Sequence, residues 1–121
     1  MIRVLYVDDE PDIREIALLA LSLDPEFEVR GAASGLDALR IVSQWYPDII
    51  LLDVMMPVLD GPATLAKLRD EAATSSMPVV FITARAQSQD MQSFAALGAR
   101  GVIAKPFAPV TLAQQVRGFL A

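Results

Sequence analysis

Short β-branched apolar runs alternate with helical patterns along the whole chain, and that alternation restricts the fold more than any other property of the sequence. Ile2 to Val7 reads as a strand, and 11–23 as a helix opened by Pro11, with Asp12 and Glu15 near its positive end and Asp24-Pro25 as its stop. Phe27-Glu28-Val29-Arg30 alternates apolar and charged residues, as a half-exposed edge strand does. Ser34 caps a second helix carrying Leu36, Leu39, Ile41 and Val42, which ends near Tyr46-Pro47. Ile49 to Leu52 is uniformly apolar, as expected of a strand covered on both faces. A turn-rich stretch, 56–61, leads into a third helix to about Glu71, and the small polar residues 72–77 lead into a strand over 79–82. A helix over 87–97 carries Met91, Phe94 and Ala95 on one stripe, with Gly98 as its cap. A strand over 102–104 and a helix over 110–120 complete the pattern. With right-handed crossovers, it predicts a flavodoxin-like, doubly wound α/β sandwich whose parallel strands run in the order 2-1-3-4-5.

The 121 residues make one domain, without an internal repeat, linker or low-complexity tract. Hydrophobic residues are 54% of the chain, and part of that surplus is expected on a surface that meets a partner. A net charge of −5 offers no broad basic footprint, which argues against nucleic-acid binding. Cysteine is absent, which excludes disulfides, thiolate nucleophiles and Cys-rich zinc sites. Histidine is absent too, so the chain supplies no imidazole base and carries no phosphohistidine. No apolar run is long enough to span a bilayer, and the expectation is a cytoplasmic protein that does not enter the membrane.

The notable polar residues fall at the carboxyl ends of the strands, where open α/β sheets bind ligands. Asp8, Asp9 and Glu10 follow the first strand, Asp53 closes the third, Thr83 the fourth, and Lys105 follows the fifth. Each has a plain structural use: an acidic pair caps a helix, a strand-end threonine satisfies backbone, and a lysine is solvated. Their order along one alternating fold makes them converge on one crevice. Carboxylates crowded there resist ionisation, and a cation relieves the repulsion. Hard oxygen ligands without His or Cys favour Mg²⁺, with Mn²⁺ as substitute, over zinc. A carboxylate there can also act as a nucleophile toward phosphorus, with the Mg²⁺, the Lys105 ammonium and the Thr83 hydroxyl matching the phosphoryl charge.

VLYVDDEP, PDIILLDVMMPVLDG, PVVFITA and GARGVIAKPF, in that order, resemble the receiver domains of bacterial response regulators over nearly the whole chain. The resemblance implies that Asp53 is the phosphorylated aspartate, that Asp9 binds Mg²⁺ directly and Asp8 through water, and that the Met55 carbonyl is a further ligand. It implies that Thr83 bonds the phosphoryl group and moves with it, that Lys105 pairs with it, and that Lys105-Pro106 is a cis peptide. It implies that Met55, Ala84 and Arg85 occupy positions that tune access of water. Val102 stands where the family often has the aromatic partner of the threonine switch, and Arg100-Gly101 stands where many DNA-binding members carry acidic dimer residues. The implied donor is a sensor histidine kinase or a histidine phosphotransfer protein, docked on the first helix against Asp12, Ile13, Ile16, Leu19 and Ala20. The protein is expected to be a monomer or weak dimer, switching contacts with a downstream protein that the sequence does not name.

The expected setting is a stand-alone switch without an output domain; the alternative is the receiver part of a larger regulator or hybrid kinase. A phosphatase with an aspartyl nucleophile fits less well, because those enzymes want a second Asp two residues on, where Met55 stands. A flavin carrier of the same sheet order would want phosphate donors after the first strand, where Asp8-Asp9-Glu10 would repel phosphate. Turnover of a foreign substrate is not expected.

Overall fold

The apolar runs form one parallel sheet of β1 (Ile2–Val7), β2 (Phe27–Ala32), β3 (Ile49–Asp53), β4 (Val79–Thr83) and β5 (Gly101–Ala104), ordered β2-β1-β3-β4-β5. Helices α1 (Pro11–Leu21), α2 (Gly35–Val42), α3 (Gly61–Asp70), α4 (Ser88–Ala96) and α5 (Pro109–Leu120) alternate with the strands. The order is the one the sequence pattern predicts. The computed structural model describes residues 1–84 and 88–120, leaving aside the side chains of Ser88 and Gln89. Among the described residues, no helix is long and apolar enough to cross a membrane.

Alternation along the strands divides the core into two layers. Leu5, Val7, Leu52 and Phe81 pack with Leu65 and Leu68 of α3 and Val42 of α2. Val4, Tyr6, Leu51 and Ile82 pack with Ala17 and Leu21 of α1 and Leu112 and Val116 of α5. Every residue of β3 and β4 is buried, as their apolar runs require, including the polar residues Asp53 and Thr83 that close them.

Local signals fix most helix ends. The Asp37 amide donates to Ser34 Oγ at 3.0 Å, and the Ala63 amide donates to Asp60 Oδ1 at 2.8 Å, so both helices carry side-chain caps. Gly98, at φ +96°, takes the left-handed turn after α4 while the Ala99 amide donates to the Phe94 carbonyl.

α1 ends at Leu21 rather than Leu23, and three larger features depart from expectation. α2 ends at Val42 rather than near Tyr46, because the chain turns to bury Trp45, whose amide donates to the Ile41 carbonyl at 2.8 Å. The Arg3 and Arg30 guanidinium carbons lie 5.4 and 4.8 Å from the Trp45 ring centre. β2 extends past Arg30 to Ala32, where Gly31 and Ala32 pair with Tyr6 and Val7. The apolar stripe expected on α4 is mostly outside the core: Phe94 packs on Phe81 with ring centres 4.8 Å apart, whereas Met91 and Ala95 are exposed. The start of that helix at Gln87 lies outside the described residues.

Candidate functional site

Strand register brings the polar residues to one edge. Val7 pairs with Leu52, so the next residues, Asp8 and Asp53, arrive side by side, and Asp53 pairs with Ile82 ahead of Thr83. Thr83 pairs with Ala104, and the Lys105 amide donates to the Thr83 carbonyl at 2.8 Å. Asp8, Asp53 and Thr83 are all buried, an unusual condition for the two carboxylates.

The Lys105 ammonium occupies the centre. Its Nζ lies 3.0 Å from Asp8 Oδ2, 3.3 Å from Asp53 Oδ2 and 3.7 Å from Glu10 Oε1. The Lys105–Pro106 peptide that precedes α5 is cis, as the resemblance implied.

Asp8 is held from several sides. Its Oδ2 also accepts the Tyr6 hydroxyl at 3.0 Å, and its Oδ1 accepts the Glu10 amide at 3.0 Å. Its main-chain carbonyl accepts Arg14 Nη1 at 2.8 Å, and the stem of Arg14 lies over Gly31, where a Cβ would meet Arg14 Cδ at 3.3 Å.

The loop after β3 folds back over the strand end. The Gly61 amide donates to the Val54 carbonyl at 2.9 Å, and a Cβ at Gly61 would stand 2.5 Å from the Asp53 carbonyl oxygen. Only glycine permits that approach. Val58, at the loop tip, has φ +69° and is 96% exposed, a left-handed conformation that β-branched residues resist.

Burial, followed by the charge of Asp8, pushes the Asp53 carboxyl up to about 6 against the pull of Lys105. Burial opposes the charge on Lys105, yet its hydrogen bond to Asp8 and the charge of Asp53 raise it overall, so the ammonium persists. Burial and the Asp8 charge raise the Tyr6 hydroxyl well above the phenol range, so it stays a donor.

Carboxylate oxygens of Asp8, Glu10 and Asp53 lie within 4.8 Å of one another, a hard-oxygen set that suits Mg²⁺ or Mn²⁺. Glu10 joins Asp8 and Asp53 in this group. The extended backbone of Glu10, just before α1, lets its carboxylate approach Lys105; Asp9 and Glu10 are both exposed, and Asp9 lies outside the group.

Met55 is 74% exposed and Ala84 is exposed; Arg85 lies outside the described residues. Val102 is half-buried against the layer that includes Phe81 and Phe94. On α1, Asp12, Ile16 and Leu19 are exposed and Ile13 is half-buried, but Ala20 is 4% exposed and belongs to the core. Ala20 therefore cannot face a partner, because it shares the sheet-facing side of α1 with Ala17 and Leu21. Sequence reasoning placed Glu10 at this edge without a role of its own and did not single out Tyr6, whose hydroxyl bonds Asp8. The signal for Tyr6 was its place two residues before Asp8, on the same side of a strand.

Comparison with known proteins agrees with this geometry. Residues 4–117 match the family described as "Response regulator receiver domain". The chain is 38% identical over 120 residues to Response regulator Rre1 of a Synechocystis strain, covering 99% of this chain and 52% of that protein. It is 40% identical over 117 residues to Transcriptional regulatory protein CseB of Streptomyces coelicolor, covering 97% and 48%. The chain thus spans about half the length of these curated relatives. Among solved structures it resembles the chemotaxis protein CheY4 of Vibrio cholerae, with a TM-score of 0.90, 33% identity and 98% of each chain covered. It also resembles the signal receiver domain of a signal transduction histidine kinase from Syntrophus aciditrophicus, with a TM-score of 0.83, 29% identity, and 99% and 90% covered. Strand order, the buried carboxylates with their lysine, and a family match over nearly every residue agree: this chain belongs to the response regulator receiver domains of two-component signalling.

Proposed function

We propose that Asp53 accepts a phosphoryl group from a phosphohistidine, on a sensor histidine kinase or a histidine phosphotransfer protein, in a Mg²⁺-dependent reaction. The carrying observation is the buried Asp53 carboxylate at the end of β3, 3.3 Å from the Lys105 ammonium and grouped with Asp8 and Glu10. An Asp53 oxygen attacks phosphorus, an O–P bond forms as the donor's N–P bond breaks, and the imidazole leaves with the electron pair. Asp53 is largely ionised at neutral pH and can be the nucleophile, since its carboxyl titrates near 6. Lys105 turns from Asp53 toward the phosphoryl oxygens, and the Thr83 hydroxyl bonds another. Asp8, Glu10 and Asp53 would hold the metal, with Asp9 and the Met55 carbonyl as further ligands. A bound Mg²⁺ supplies charge neutralisation of those oxygens.

The domain works as a switch: the phosphorylated form shifts a two-state equilibrium that changes contacts with another protein. Met55, Ala84 and Arg85 set how long the phosphoryl group lasts, and Val102 leaves the Thr83 movement without an aromatic follower. The reading applies equally to a stand-alone regulator and to the receiver part of a longer one. No foreign substrate is turned over.

The test is intact mass after incubation with Mg²⁺ and acetyl phosphate, beside Asp53→Asn. One added phosphoryl group that needs Mg²⁺ and is missing from the variant supports the reading. An adduct that persists in Asp53→Asn refutes the acceptor. No adduct, together with no binding of beryllium fluoride, refutes the switch chemistry.

A further inference from the structure

We propose that the Tyr6 hydroxyl is a positioning group for the phosphoacceptor site, acting through Asp8; this rests on the reading of Asp53 given above. Tyr6 is fully buried in the apolar layer between the sheet and helices α1 and α5. Its ring meets Phe107 edge-on, with centres 6.4 Å apart, and a phenylalanine would pack there equally well. A phenol in such a layer is unfavourable unless its hydroxyl is bonded, and this hydroxyl donates to Asp8 Oδ2 at 3.0 Å.

The bond completes the enclosure of Asp8. Oδ2 takes the Tyr6 hydroxyl and the Lys105 ammonium, and Oδ1 takes the Glu10 amide. These donors come from inside β1, from the turn into α1 and from the segment after β5, so the carboxylate cannot rotate without breaking bonds to several parts of the fold. A fixed Asp8 keeps Lys105 anchored at 3.0 Å when the lysine exchanges Asp53 for phosphoryl oxygens. It also presents a constant carboxylate to a cation shared with Asp53 and Glu10. Tyr6 thus acts on the site from beneath, without touching the reacting atoms.

Tyr6→Phe removes one oxygen and keeps the ring. Mn²⁺ binding, read by electron paramagnetic resonance, is expected to weaken about tenfold, the low end for partners that orient metal-binding carboxylates. Phosphorylation by acetyl phosphate at sub-saturating Mg²⁺ should slow in parallel. Val116→Ala, a cavity in the same layer, controls for simple loosening: it should lower the melting temperature and leave Mn²⁺ affinity unchanged. Wild-type Mn²⁺ affinity in Tyr6→Phe overturns the proposal, as does an equal loss in Val116→Ala. A wild-type protein that binds no Mn²⁺ and takes no phosphoryl group removes the underlying function as well, which separates the two failures.

Discussion

Asp53→Asn is expected to make the protein more stable at neutral pH, although it deletes an ion-pair partner of Lys105. The Asp53 carboxyl sits at about 6 in the fold against an ordinary 3.8, because burial and Asp8 outweigh the lysine. The folded protein therefore holds this proton more tightly than the unfolded chain. The resulting penalty is absent below pH 3.8, grows as pH rises toward 6, and is constant above it. The whole rise corresponds to about 3 kcal/mol, and about half of that applies at pH 5. Asparagine carries no charge and escapes the penalty. Relaxation at the mouth of the site reduces the figure, so a gain of about 1–3 kcal/mol at pH 7.5 is expected, or about 4 °C in melting temperature per kcal/mol. Urea unfolding followed by Trp45, the single tryptophan and a buried one, reads this at pH 7.5 and pH 5. Added Mg²⁺ should narrow the gap by stabilising the wild type alone. A variant no more stable at pH 7.5, or a gain equal at both pH values, would show that Asp53 is not an electrostatically strained carboxylate.

Val58→Asn should stabilise by about 1 kcal/mol, since asparagine tolerates the left-handed turn and an exposed valine gives up no packing; calorimetry decides. Arg69 donates to the carbonyls of Thr74, Met77 and Gly98 at 3.2, 2.8 and 2.9 Å, tying the connector before β4 to the end of α4. Arg69→Ala should destabilise by about 2 kcal/mol in urea titration, and Arg69→Lys should recover little, because an ammonium cannot span the guanidinium fork. Leu19, 66% exposed on α1, stands at the proposed donor face. Leu19→Glu should slow transfer from a phosphohistidine protein at least severalfold while leaving phosphorylation by acetyl phosphate unchanged; equal slowing of both would remove α1 as the docking face.

What could be read in advance depended on how locally each feature is encoded. Strand order followed from alternation because right-handed crossovers leave few arrangements for five strands. Asp8, Asp53, Thr83 and Lys105 were recognisable because each is a polar residue closing an apolar strand, and register alone brings them together. The approach of Glu10 to Lys105 was not legible, since adjacent carboxylates look alike until the fold places the lysine. Tyr6 lay hidden inside an apolar run, where its hydroxyl could be noticed only by counting back from Asp8. The early end of α2 carries no stop signal of its own; it follows from burying Trp45 between the sheet and two arginines. Ala20 was misplaced because α1 is apolar on nearly every side, which erases the stripe that would tell inside from outside.

The position of Lys105 also makes it a tethered rival for any ion drawn to these carboxylates. Dilution cannot remove a competitor bound to the same chain, and its effective concentration beside Asp8 and Asp53 is of millimolar order or higher. The site's apparent affinity for a divalent cation is thus a ratio of two attractions. A substitution that removes the ammonium, such as Lys105→Ala, should tighten metal binding even while it cripples phosphoryl chemistry.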